Sequence, residues 1–146
     1  MIIGAVLIAS IVAGGWYFLG RSPSPPSGDF AVASSRYLDA ARAIPIAADG
    51  VQRLGDFDRF NFAVIAYEET MNTQLGVFKR LEKSEEGDAQ QVATDAARAA
   101  ALGINASQAF RAALGHTRVD DAVGAREQLA TAVHELNRDA QRWKQL

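Results

Sequence analysis

Phe57-Asp-Arg-Phe60-Asn-Phe-Ala-Val64-Ile-Ala-Tyr67-Glu-Glu-Thr-Met71-Asn-Thr-Gln74-Leu-Gly-Val-Phe78-Lys-Arg-Leu81 is the stretch that decides the fold. Phe57, Phe60, Val64, Tyr67, Met71, Gln74, Phe78 and Leu81 follow one another in alternating steps of three and four. That is the 3.5-residue period of a helix packed in a bundle or coiled coil, and no β-strand can present such a stripe on one face. Asp56 is placed to cap this helix and Gly87 to end it.

The same rhythm continues on both sides. Upstream, Phe30, Ala33, Tyr37, Ala40 and Ile44 form a shorter stripe that Pro45 is expected to stop. The residues from Ile46 to Gly55 then read as a turn with room for one short helix. Downstream, Asp88 with Gln91 has capping-box spacing and opens a third helix. Its stripe is Val92, Ala96, Ala99, Gly103, Ala106, Phe110 and Ala113, with Gly115 at the C′ position. Thr117 with Asp120 makes a second box before a last helix carrying Val119, Val123, Leu129, Val133, Leu136, Ala140 and Trp143, interrupted by Arg126. No run alternates with period two. The connections are short, so consecutive helices are antiparallel neighbours. Residues 29–146 are therefore expected to form an all-α, up-down antiparallel helical bundle of three long helices and a shorter first one.

The third helix holds eleven alanines between Asp88 and Gly115. Ala favours the helix but supplies little apolar area, so its neighbours must come close or bring large side chains. An outward alanine surface is the alternative, as a place where another protein docks.

Residues 1–20 differ from everything after them. Fifteen of the twenty are apolar, and all 15 Lys and Arg and all 17 Asp and Glu lie beyond Gly20. A helix of this length is about 30 Å long, the thickness of a bilayer's hydrocarbon core. A cleaved signal peptide would want a basic start and a small-residue exit; this run has no Lys or Arg before it and leaves through Trp16-Tyr17-Phe18-Leu19. Residues 1–20 are read as a single retained transmembrane helix with Trp16 and Tyr17 at the interface. Ala5, Ala9 and Ala13 recur at a spacing of four, suited to close approach of another membrane helix. Arg21 and Arg36 favour a cytoplasmic C-terminal domain, by a narrow margin. Residues 21–28 hold three of the four prolines and make a semi-rigid Pro/Ser linker of about 20–25 Å.

Composition narrows the chemistry. The net charge is −2 with both signs interspersed, which leaves no basic footprint for nucleic acid. There is no cysteine, so no disulfide, thiol or Cys-based metal chemistry. His134 and Glu135 lack the second histidine of a zincin helix, and there is no Glu-x-x-His of the di-iron bundles. Met71 and His134 could be imagined around a haem, yet Met71 falls on the core stripe. Glu68 and Glu69 point about 100° apart and make no dyad. Glu82, Glu85, Glu86 and Asp88 form an acidic turn without EF-hand spacing. Asn105-Ala-Ser107 is a formal glycosylation sequon in the middle of a helix. No phosphate-binding or nucleophile-elbow motif is present. The expectation is a protein with no catalytic, cofactor or metal residues: a membrane-tethered interaction module, an accessory or scaffold subunit that meets other membrane-complex subunits or itself. The rival expectation is a membrane-anchored sensor whose bundle receives a small ligand.

Overall fold

The computed structural model describes residues 27–146; the expected transmembrane helix at 1–20 and the linker residues 21–26 lie outside the described residues. Four helices account for nearly all of it: α1 (Asp29–Asp49), α2 (Leu54–Ser84), α3 (Gly87–Gly115) and α4 (Val119–Lys144). No strand occurs among the described residues, and none of their helices is long and apolar enough to cross a membrane. The helices pack as a ring in which each touches the next and α4 returns to α1, with a diagonal contact from α1 to α3.

The second stripe turns inward as its period demands. Phe60, Val64, Met71, Phe78 and Leu81 are buried, and Phe57 and Tyr67 pack half-buried against the same core. The first and third stripes are buried throughout. The fourth holds at Leu129, Leu136 and Trp143, with Val133 and Ala140 part-buried beside them, and is displaced at its start. Val119 and Val123 are exposed, and the inward face runs Ala122, Ala125, Leu129, Ala132, Leu136, Asp139, Trp143 in an unbroken three–four rhythm. Alanines face inward because α3 opposite is itself built of Ala93, Ala96, Ala100 and Gly103, so the two backbones close on one another with no room for valine. Arg126, which seemed to interrupt the stripe, faces α1 and forks onto the Asp49 carboxylate at 2.9 and 3.3 Å.

Helix ends depart most from the sequence reading. α1 runs through Pro45 to Asp49 rather than stopping there. Proline inside a helix costs about 3 kcal/mol through its missing N–H and its clash with the preceding turn. Burial of Ile44, packing of Ala47 and Ala48 on the core, and the Arg126 fork offset that cost. α2 begins at Leu54, so Asp56 lies in its first turn beside Arg53 and Arg59 instead of capping it. α3 starts on Gly87, whose φ of +60° is open to glycine at no cost. Neither expected capping box forms: Glu86 and Arg118 occupy the N-cap positions of α3 and α4 and make no side-chain cap. Gln91 instead donates to Asp95 along its own helix, at 3.1 Å.

Gly115 is the last residue of α3, not its C′ residue. The left-handed position belongs to Thr117, at φ 54°. The Arg118 N–H donates to the Ala113 carbonyl at 2.9 Å and the Thr117 N–H to Leu114 at 3.2 Å, the two bonds of a Schellman closure. Gly115 is small for another reason: a Cβ there would stand 2.9 Å from the Phe57 ring.

Candidate functional site

Two buried ionic clusters bind the helices to one another, and each grows out of a polar residue placed in register with an apolar stripe. Glu68 lies four residues after Val64 and three before Met71, so the helical period carries it inside. It is buried between α2 and α3. Its Oε1 accepts from the Ser107 hydroxyl at 2.8 Å and its Oε2 from Arg111 Nη2 at 3.1 Å. Arg111 Nη1 continues to Asn61 Oδ1 at 3.0 Å. An unpaired carboxylate at this depth would cost several kcal/mol; here both oxygens are answered by a hydroxyl and a guanidinium fork.

The second cluster joins α3 to α4. Asp139 takes the inward position between Leu136 and Trp143 and is only 1 % exposed. Arg142 Nη1 donates to Asp139 Oδ1 at 3.1 Å and to Asp95 Oδ2 at 2.9 Å. Burial pushes the Asp139 carboxyl above its ordinary range, against the pull of the Arg142 hydrogen bond. The more open Asp95 is held below that range, chiefly by its own bond from Arg142. Tyr37 is the third buried polar anchor: its hydroxyl donates to the Ala100 carbonyl at 2.7 Å, and burial raises its pKa. That hydroxyl occupies the space a side chain at Gly103 would need, and Ala132 closes the same space from α4 at 3.1 Å. Glycine at 103 is what admits α1 to α3 across the ring. Ser34 Oγ is buried with no hydrogen-bond partner among the described residues.

The residues weighed from sequence do not converge. Met71 is fully buried on α2 and His134 is exposed on α4, helices that do not meet, so they cannot share a haem. His116 is exposed in the turn after α3. Glu68 and Glu69 diverge, one buried and one exposed. In the sequon, Asn105 is exposed while Ser107 is buried on Glu68. No group of three His, Cys, Asp or Glu among the described residues could hold a metal ion.

Both clusters escaped the sequence reading, although a signal was present: Glu68, Ser107 and Asp139 sit where a three–four stripe asks for an apolar residue. The pairing itself needs the third dimension, since Glu68 and Arg111 are 43 residues apart. The described residues form several open clefts. One of about 250 Å³ lies between α1 and α2 at Ala47, Val51 and Phe60. Two more, of about 420 and 410 Å³, lie on the outer face of the α3/α4 pair. No protein-family model, curated protein or solved structure matches the chain.

Proposed function

We propose that the chain is a membrane-tethered helical interaction module, a non-catalytic accessory or scaffold subunit of a membrane protein complex. The observation that carries this reading is the commitment of the buried charges. Glu68 bonds Arg111 of the neighbouring helix and Asp139 shares Arg142 with Asp95 across α3 and α4, so these buried carboxylates serve to join helices and neither lines a cleft described above. The uncharged run at residues 1–20 supports the membrane half of the proposal, and Arg21 and Arg36 favour the bundle on the cytoplasmic side.

The test has two parts. Alkaline carbonate extraction should leave the full chain in the membrane pellet, and recovery in the supernatant would refute the anchor. Purification in mild detergent should then bring down other subunits at fixed stoichiometry. A Soret band, or a thermal shift with one member of a metabolite panel, would favour the rival sensor instead. Because the chain has no cysteine, a single Cys introduced at exposed Gln52 reports sidedness by labelling with an impermeant maleimide.

A further inference from the structure

We infer that the outer seam of α3 and α4 is a docking trough for an amphipathic helix of another protein, with lysines or arginines along one of its edges. The inference rests on the interaction-module reading and names its surface and the chemistry of its partner. The two α3/α4 clefts share Gly124 and Gln128, so they join into one trough. It extends along α4 from Asp120 to Glu135, about 22 Å at 1.5 Å per residue, or four turns of a docked helix. The floor is low: Ala109, Ala112 and Ala132 with Gly124, crossed by Gln128 and Thr131, and Leu102 stands 53 % exposed in the cleft that reaches Glu135. Small side chains between two close helices let a third backbone approach, which is the geometry of helix-in-groove recognition.

Charge selects the occupant. Asp120, Asp121, Glu127 and Glu135 all lie on the α4 side of the trough. Asp121 is paired with Arg118 at 3.3 Å, the one base in the lining; Asp120, Glu127 and Glu135 make no ion pair among the described residues. A helix with cations along the edge facing α4 would answer them, and opposite charges around such a floor set register and orientation. A second copy of the chain is a poor fit. Its most exposed apolar ridge is Leu54, Phe62 and Ile65 on α2, which Asp58 and Glu69 interrupt, bringing acid against acid. An anionic lipid surface is repelled for the same reason.

Gly124 provides a variant that spares the fold. Nothing lies within 4 Å of a Cβ built there, so Gly124→Leu enters open space inside the trough while improving helix propensity. The experiment uses the full chain in phosphatidylcholine nanodiscs, with empty nanodiscs as the blank. The probes are two fluorescent Leu/Ala amphipathic helices of about 16 residues, matched to the trough. One carries Lys along an edge and the other Glu at the same places. The Lys helix should bind saturably, more weakly as salt rises, and the Glu helix should not. Glu127→Lys with Glu135→Lys should weaken the Lys helix about tenfold or more, as should Gly124→Leu, whose melting temperature should hold or rise. Equal binding of both helices, or binding that survives both sets of substitutions, overturns the inference. So does self-association of the full chain that Gly124→Leu abolishes, which would give the trough to a second copy. If wild type and Gly124→Leu co-purify the same stoichiometric partners, the trough is wrong and the module stands. If wild type retains none, the module reading itself falls.

Discussion

At the end of the bundle where the chain enters, three helices meet through aromatic rings. Phe30 stacks on Trp143 with centroids 4.1 Å apart and planes 6° from parallel, and Phe78 leans on Phe30 at 5.2 Å. The Trp143 indole N–H donates to the Ser27 carbonyl at 3.2 Å, so the last turn of α4 holds the residues that lead into α1. The opposite end is built differently. There Leu54 is 82 % exposed, Ile46 and Val119 are also open to solvent, α1 runs over a proline, and Thr117 sits in a left-handed conformation. One end is closed by a stacked aromatic pair; the other has the wider-spaced Phe57, Phe60 and Phe110, with centroids 6.0 and 6.2 Å apart, beneath turns left open to solvent. Stability should therefore be graded along the bundle, highest at the Phe30–Trp143 end.

The largest effect that would break this comparison lies in the aromatic stack. Phe30→Ala should cost about 3–5 kcal/mol in denaturant unfolding, whereas Leu54→Ala at the far end should stay within about 0.5 kcal/mol. Equal losses would show that the two ends are held alike. Next comes the diagonal contact between α1 and α3. Gly103→Ala should cost about 1–3 kcal/mol because the new methyl meets the Tyr37 hydroxyl. Adding Tyr37→Phe should recover part of that loss, and strict additivity of the two changes would contradict the steric cause.

Between the ends stands the Glu68–Arg111 cluster. Glu68→Ala should cost about 1–3 kcal/mol, because it strands Ser107 and leaves the Arg111 guanidinium, itself partly open to water, without its fork. At the loose end a substitution should help. Thr117→Gly relieves a β-branched residue of its left-handed backbone and should add about 1 kcal/mol.

The smallest effect is a pH signature of the α3/α4 cluster. Burial raises the folded pKa of Asp139, so its ionised form counts against the fold at neutral pH; that deficit begins to shrink as pH falls below the raised value and is gone below the ordinary carboxylate pKa. Asp95 has a lowered pKa, and its contribution is present above the ordinary carboxylate pKa of about 4 and lost below it. Asp139→Asn should therefore melt at or above wild type at pH 7, with the difference shrinking on mild acidification. Asp95→Asn should melt below wild type at pH 7 and converge with it only under stronger acid. Melting curves for both variants between these limits check the sign of each.

The sequence by itself determined that residues 29–146 are helical, how many helices they form, and which faces of the first three turn inward. That information is local and redundant: a period of three and four repeated over many turns survives an error at any one position. It also determined that residues 1–20 are uncharged, the sole basis of the membrane proposal. Only the tertiary structure decided the rest. Pro45 continues its helix because Ile44 and Asp49 are held by other elements. Alanines rather than Val119 and Val123 face the core of α4, since the face is chosen by the space α3 leaves and not by the hydrophobicity of the residue. Glu68 is stable inside because Arg111 arrives from α3, and Asp139 because Arg142, one turn along its own helix, is fixed in place by Asp95 of α3. Each outcome turns on a contact that no window of neighbouring residues contains.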